Sequence, residues 1–263
     1  MHLSIEHHTR YSYGSPVDYT IQQLRLTPQD GFGQRIKHWE IRVNGSISPY
    51  TDAFGNLAHT LVVDTPHDAI NITAIGEVET DLDLPPQNDA LTLPVFLRNT
   101  ALTLPDAALR EFALSFSGGA AVKLAMLTEL MHGILAHVSY NKGTTGVDTS
   151  AAKAFSTGEG VCQDHAHIFI ACCRSLGVPA RYVSGYLYTM DSNMVESHAW
   201  ADAWLEGEGW HSFDVSNGQR SNEIHVRLAT GLDYRDACPI SGIRRGGGGE
   251  AMSVSVQVQQ TQQ

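Results

Sequence analysis

A glycine turn, a cysteine, a helix and a strand follow one another without a break between Gly158 and Tyr188, in GEGVCQDHAHIFIACCRSLGVPARYVSGYLY. After Cys162 the apolar residues Ala166, Phe169, Ile170, Cys173 and Leu176 recur at helical spacing. Gly177 and Pro179 stop that helix, a glycine just past the last turn and a proline soon after. Arg181 to Tyr188 then alternates as a half-buried strand. Cys162 shares the helix face of Ala166, Phe169 and Cys173, so it points toward whatever sheet the helix covers. Unpaired N–H groups and the dipole at a helix N-terminus favour a thiolate. Two readings of Cys162 follow from this turn alone: a nucleophile, or a small buried apolar residue.

Residues 1–84 read as a β-domain. Short apolar alternations (Gln23 to Leu26, His38 to Val43, His59 to Val63, Ile70 to Val78) are separated by Gly14-Ser15-Pro16, Asn44-Gly45 and Gly55-Asn56. That spacing predicts a sandwich or open barrel. Pro85-Pro86-Gln87-Asn88 marks the end of this domain, and 85–105 reads as a linker or crossing segment with prolines near both ends of Leu93 to Leu104. Residues 106–245 form the next unit. Its expected helices are Ala107 to Phe116, Ala121 to His137, and a short one through Phe155 capped by Asp148, Thr149 or Ser150. Residues 246–263 read as a flexible glycine-rich connector followed by a strictly alternating strand, Ser253 to Val258, at the edge of a sheet.

The next signal is a hairpin, Glu196 to Leu205 and Trp210 to Val215 around Glu206-Gly207-Glu208-Gly209. A thiolate nucleophile needs an imidazole within reach, and the imidazole needs a third group to hold its tautomer. The chain has 13 histidines, so position matters more than presence. His198 opens the first strand and Asp214 closes the second. His198, Trp200, Asp202 and Trp204 share one face, and Trp210, Ser212 and Asp214 share a face of the partner. A four-residue loop would set His198 and Asp214 on opposite faces. A triad therefore requires an odd loop or a bulge, which Gly207 and Gly209 would accommodate.

Gly160-Val161-Cys162-Gln163-Asp164, Pro179-Ala180-Arg181-Tyr182-Val183-Ser184-Gly185-Tyr186, Ser197-His198-Ala199-Trp200 and Gly209-Trp210-His211-Ser212-Phe213-Asp214 together resemble the transglutaminase-like family. His7-His8-Thr9-Arg10-Tyr11, Leu24-Arg25-Leu26-Thr27-Pro28 and Asp52-Ala53-Phe54-Gly55-Asn56 resemble the N-terminal β-domain that precedes bacterial members. The resemblance implies an α+β chain, with the β-domain followed by a papain-like core whose cysteine helix packs on an antiparallel sheet. It also implies that Cys162 attacks an amide carbonyl, that His198 carries the proton and that Asp214 orients His198. Helix-start N–H groups would stabilise the oxyanion. Tyr140 is the candidate for a side-chain donor, with a core tyrosine as the other reading. Gln163, Asp164, Tyr186 and Trp200 are further oxyanion or substrate-binding candidates; Asp164 and Tyr186 read equally as structural, and packing is the alternative for Trp200. The family's eukaryotic members have tryptophan directly after the nucleophile, where Gln163 stands here, and no acidic cluster resembles their calcium sites.

No metal or other cofactor is expected. His165 and His167 are about 200° apart on a helix and cannot chelate one ion as neighbours; a zinc site of Cys162, His165 and His198 is the alternative to core roles. The expected activity is cysteine-dependent acyl transfer on peptide or amide bonds, as a peptidase or amidase. A transamidase would use the same acyl-enzyme, and a non-catalytic interaction scaffold is the reading from another class. A net charge of -11 argues against nucleic acid or an anionic membrane as partner and says nothing about the substrate, which the resemblance implies is a peptide or protein. The four cysteines, two of them adjacent, make a poor disulfide framework, and the first residues lack a signal-peptide pattern. No apolar run approaches the roughly 20 residues of a membrane span. A reducing cytoplasm is the expected location.

Overall fold

The computed structural model describes residues 1–86, 90–117, 119, 122–190 and 197–261. Gln87 and Asn88 of the expected boundary, Ala121 of the expected helix start and Glu196 of the expected strand start lie outside them. In chain order the elements are β1 (His2–Leu24), β2 (Arg35–Val43), β3 (Ser46–Thr51), β4 (Leu57–Val63), β5 (His67–Glu79), a 3-10 turn (Leu93–Leu97), α1 (Ala107–Ser117), α2 (Leu124–His137), β6 (Ser139–Tyr140) and α3 (Ala151–Thr157). They continue with β7 (Glu159–Gly160), α4 (Cys162–Ser175), β8 (Ala180–Leu187), β9 (Ser197–Leu205), β10 (Gly209–Asp214), β11 (Gln219–Arg220), β12 (His225–Gly231), α5 (Tyr234–Ala237), β13 (Ile240–Gly246) and β14 (Glu250–Gln260).

The N-terminal β-domain is one curled, seven-stranded sheet built on β1. Along β1, residues from Leu3 to Ser12 pair with β5 on one side and β14 on the other. Thr20 to Leu24 pair with β4 and β13 on the same two sides. The bend falls at Gly14-Ser15-Pro16, where Gly14 N–H donates to Gly249 O at 2.8 Å and Gly247 N–H to Pro16 O at 3.1 Å. The glycine run expected as a flexible connector is thus held between two strands that both follow β1. The single long β1 is not evident from hydrophobic pattern, because its inward face includes His7 and Thr9 beside Leu3, Ile5 and Tyr11.

The second sheet runs β11-β10-β9-β8-β12, antiparallel throughout. Helix α4 lies on β8 and β9, with α1, α2 and α3 packed around its other side. That double covering explains why every residue from Asp164 to Arg174 is buried. Leu127, Leu130, Met131 and Ile134 of α2 join Phe169, Ile170 and Cys173 of α4 and Phe213 of β10 in one core. Ser150 caps α3 by accepting the Lys153 N–H at 3.3 Å. Arg174, at the C-terminal end of α4, donates to the backbone oxygens of Phe96, Ala180 and Leu232 and to Thr103 Oγ1, so it ties the crossing segment to the sheet. The expected class, a β-domain followed by a transglutaminase-like α+β core, is the architecture observed.

Candidate active site

The β9–β10 hairpin meets the parity condition. Gly209 pairs with Leu205 and Trp210 with Trp204, which leaves Glu206, Gly207 and Glu208 as a three-residue loop rather than one of four. Gly207 and Gly209 hold positive φ angles of 79° and 91° there, a region that glycine enters without steric cost. The same register carries His198 and Asp214 to one face. His198 Nε2 lies 3.0 Å from Asp214 Oδ1, and the imidazole also hydrogen-bonds Cys162. With Nε2 engaged by the carboxylate, Nδ1 is the nitrogen left for the thiol.

Burial works against a charge on His198, but the hydrogen bonds to Asp214 and Cys162 outweigh it and push its pKa up to about 10. Burial likewise works against the Asp214 carboxylate. Hydrogen bonds from His198, His225 and Asn217 reverse that and hold it well below the usual carboxylate range. Asn217 Nδ2 donates to Oδ2 at 2.7 Å and Ser216 Oγ to Oδ1 at 3.1 Å. His225 Nε2 stands 3.0 Å from Oδ2. His225 and Asn217 are site residues that the pattern of the chain did not single out. Asn217 had a signal, three residues beyond Asp214 in a 3-10 turn; His225 had none.

Cys162 is the first residue of α4 and is partly exposed, whereas Cys172, Cys173 and Cys238 are buried. Asp164 supplies the cap: its Oδ2 accepts from Val161 N–H at 2.8 Å and Thr145 Oγ1–H at 2.6 Å. Gly160 is required here, since a Cβ would come within 2.6 Å of the Asp164 Cβ. The first intrahelical bond runs from His165 N–H to Val161 O, so the N–H groups of Cys162 and Gln163 have no partner within the helix. Burial raises the Asp164 pKa against these hydrogen bonds. At 1% exposure it faces the helix turn and not substrate, which corrects one of its two readings.

Gln163 Nε2 donates to Val147 O at 3.1 Å, so its amide holds the 146–149 loop. Tyr140 is 44% exposed; it pairs with Gly160 across the short β6–β7 ladder, and its ring stacks near His165 at 6.2 Å between centroids. Tyr186 does not line a cleft, a correction to its substrate-binding reading, whereas Trp200 borders a cavity shared with Gln34, Ser212, His225 and Arg227. Tyr186 is fully buried and its hydroxyl meets His7 Nδ1 at 2.8 Å, joining the second sheet to β1. Trp200, 1% exposed, packs over Gly185 and meets the His225 ring edge-on at 5.3 Å. The N-terminal sheet covers Tyr186, which local pattern cannot show.

His165 and His167 are core residues. The His165 nitrogens face Val161 O at 2.9 Å and Val138 O at 3.0 Å, and His167 Nε2 accepts the Tyr234 N–H at 3.1 Å. The residues of the alternative zinc site, Cys162, His165 and His198, do not converge. Among the described residues, the group arranged like metal ligands is instead His198, Asp214 and His225, whose ligating atoms lie within 4.8 Å of one another. Each histidine there already has a carboxylate oxygen at 3.0 Å, as expected of hydrogen-bonded pairs.

Residues 3–79 match the bacterial transglutaminase-like N-terminal region, and 110–215 match the transglutaminase-like superfamily. An uncharacterized protein of Mycobacterium leprae (strain TN) is 30% identical, covering 97% of this chain and 98% of its own. A crystal structure described as "a Putative Cysteine Protease from Cytophaga hutchinsonii" superposes with a TM-score of 0.78 at 24% identity, covering 100% of this chain and 92% of that one. A Pseudomonas aeruginosa protein-glutamine gamma-glutamyltransferase is 27% identical over 47% of this chain and 20% of its own. The chain belongs to the transglutaminase-like superfamily, with the bacterial N-terminal β-region ahead of its core.

Proposed function

We propose that the protein is a cysteine-dependent acyl-transfer enzyme acting on peptide or amide bonds. The observation that carries this reading is His198, hydrogen-bonded to buried Asp214 on one side and to Cys162, at the start of α4, on the other. His198 takes the thiol proton as Cys162 Sγ attacks the carbonyl carbon. The oxyanion that forms lies near the N–H groups of the first turn of α4, with the Tyr140 hydroxyl as the candidate side-chain donor. Collapse breaks the C–N bond, and the imidazolium gives its proton to the departing amine. A thioester remains on Cys162. Water, deprotonated by His198, then attacks the thioester carbon, the C–S bond breaks and the thiol regains its proton. Asp214 stabilises the imidazolium throughout.

An amine in place of water makes the same chain a transamidase, and the partial similarity to a gamma-glutamyltransferase favours keeping that second reading. The two are separated by incubating wild type and Cys162→Ala with a mixed peptide library and a labelled primary amine, followed by mass spectrometry. Cleavage lost in the variant is the expected result. Amine incorporation without cleavage would assign the transamidase. Neither product from wild type, with Cys162 no more reactive than the buried cysteines, would overturn acyl transfer and favour a binding scaffold.

A further inference from the structure

Asp214 serves two histidines. Oδ1 takes His198, and Oδ2 takes His225 at the same 3.0 Å. His225 is 6% exposed, and its orientation is fixed from three directions. Its Nδ1 lies 3.1 Å from the Asn222 backbone N and 3.0 Å from Asn222 Oδ1, which holds the ring with Nε2 facing the carboxylate. Its own backbone N–H donates to Asn222 O at 3.1 Å. The Trp200 ring meets it in a T-shaped contact at 5.3 Å, and Trp200 in turn sits 6.1 Å from the His198 ring.

His225 is also the first residue of β12, the strand at the edge of the second sheet. An edge strand leaves backbone groups unpaired unless something covers them. Here the N-terminal β-domain covers them with two side-chain amides. Gln34 Oε1 accepts the Arg227 N–H at 2.8 Å while its Nε2 donates to Arg227 O at 3.0 Å. Asn56 repeats the pattern on Thr230, both contacts at 2.8 Å. Both amides are buried, at 3% exposure. Each acts as a one-residue strand added to β12, two and five residues beyond His225.

We propose that His225 is a positioning residue that locks the Asp214 carboxylate for His198, and that the N-terminal β-domain holds it there through the Gln34 and Asn56 clamps on β12. The proposal rests on the acyl-transfer reading above. It makes the β-domain part of the working site: β-domain amides fix β12, β12 fixes His225, His225 fixes Asp214, and Asp214 orients the imidazole that serves Cys162. His225 shares Oδ2 with Asn217 Nδ2, and His198 shares Oδ1 with Ser216 Oγ, so rotation about Cβ–Cγ breaks hydrogen bonds at both oxygens, and His225 supplies the most deeply buried of these donors.

The test reads the rate of carboxamidomethylation of Cys162 by iodoacetamide in the full chain near neutral pH, so no substrate need be known. Burial of the other three cysteines makes the label selective. His225→Ala is expected to slow the reaction about tenfold, a fraction of the roughly 10²–10⁴ that acid–base assistance supplies, because His198 and Asp214 remain. His225→Gln, which can still donate to Oδ2, should recover to within about threefold of wild type. In an Asp214→Ala background, His225→Ala should change the rate by less than about twofold, because its effect runs through that carboxylate. Gln34→Ala with Asn56→Ala should slow the reaction in the same direction. Circular dichroism checks folding, and His225→Leu replaces the alanine variant if that fails to fold.

A wild-type rate in His225→Ala, an undiminished effect without Asp214, or a glutamine variant no faster than alanine would each overturn the proposal. If His198→Ala itself alkylates as fast as wild type, the acyl-transfer reading falls and takes this one with it. A slow His198→Ala with an unaffected His225→Ala would reject only the positioning role.

Discussion

Two carboxylates on the second sheet, Asp202 and Asp214, are both fully buried and both held by several donors, yet the partners differ in kind. Asp202 meets Arg181 Nε and Arg227 Nη1 at 2.8 Å, Arg227 Nη2 at 2.9 Å and Ser212 Oγ at 2.7 Å. Burial opposes its charge, but the two arginines win and hold its pKa at about 2. Phe32 and Trp210 cover the guanidinium groups, with Arg227 4.1 Å from the first ring and Arg181 4.1 Å from the second. Arginine keeps its proton at any working pH, so nothing in this cluster can change charge during a reaction. Asp214 faces His198, whose imidazole can take up a proton and give it back. Depth of burial is the same; what separates a fixed ion cluster from a chemical one is whether the partner can titrate. The positions are twelve residues apart in sequence, and the fixed cluster braces the sheet on which the chemical one works.

That contrast sets the expected effects. Asp214→Asn should lower turnover by about 10³ to 10⁴, the size seen when the group orienting a catalytic histidine loses its charge. Turnover by Asp202→Asn, measured per folded molecule, should stay near wild type. The stability cost should fall more heavily on Asp202→Asn, at about 3–5 kcal/mol, because two buried guanidiniums lose their counterion. Denaturant titration of both variants checks this. An Asp202→Asn protein of normal stability would break the distinction.

The two sites should also separate by pH. The His198 pKa is raised to about 10, above its ordinary value, so its contribution is complete below about pH 6.5 and is lost as pH rises through about 10. The Asp202 pKa is depressed, so its contribution is present above about pH 4 and is lost as pH falls toward 2. Unfolding free energies should therefore show the gap between wild type and His198→Ala closing on the alkaline side. The gap to Asp202→Asn should hold there and close in acid. Smaller effects complete the series. Gly160→Ala should cost about 1–3 kcal/mol by crowding Asp164. Tyr140→Phe should reduce turnover by about 10²-fold, with little change in melting temperature, if its hydroxyl assists the oxyanion.

The cysteine helix was readable because both of its ends are marked, by the Gly158–Gly160 turn and by Gly177 and Pro179. The hairpin was readable to the level of a condition: His198 and Asp214 share a face only with an odd loop, and pairing of Gly209 with Leu205 supplies it. Less was readable where partners lie far apart in the chain. The inward His7 and Thr9 hide β1 because their polarity is satisfied by Tyr186 and by each other. The glycines and arginines of Ile240 to Gly246 do not look like a strand, yet they pair along β1. Tyr186 reads as a cleft aromatic until the N-terminal sheet covers it. His225 joins Asp214 only through the order of β12 in its sheet, a relation that no spacing between 214 and 225 encodes.

The most direct test of acyl transfer is rapid acid quench of wild-type protein turning over a peptide found in the library screen, followed by mass spectrometry of the Cys162 peptide. The expected result is an acyl mass on Cys162 that hydroxylamine removes, that is absent in Cys162→Ala and that fails to form in His198→Ala. Turnover with no such adduct, or an unchanged rate in Cys162→Ala, would contradict the account.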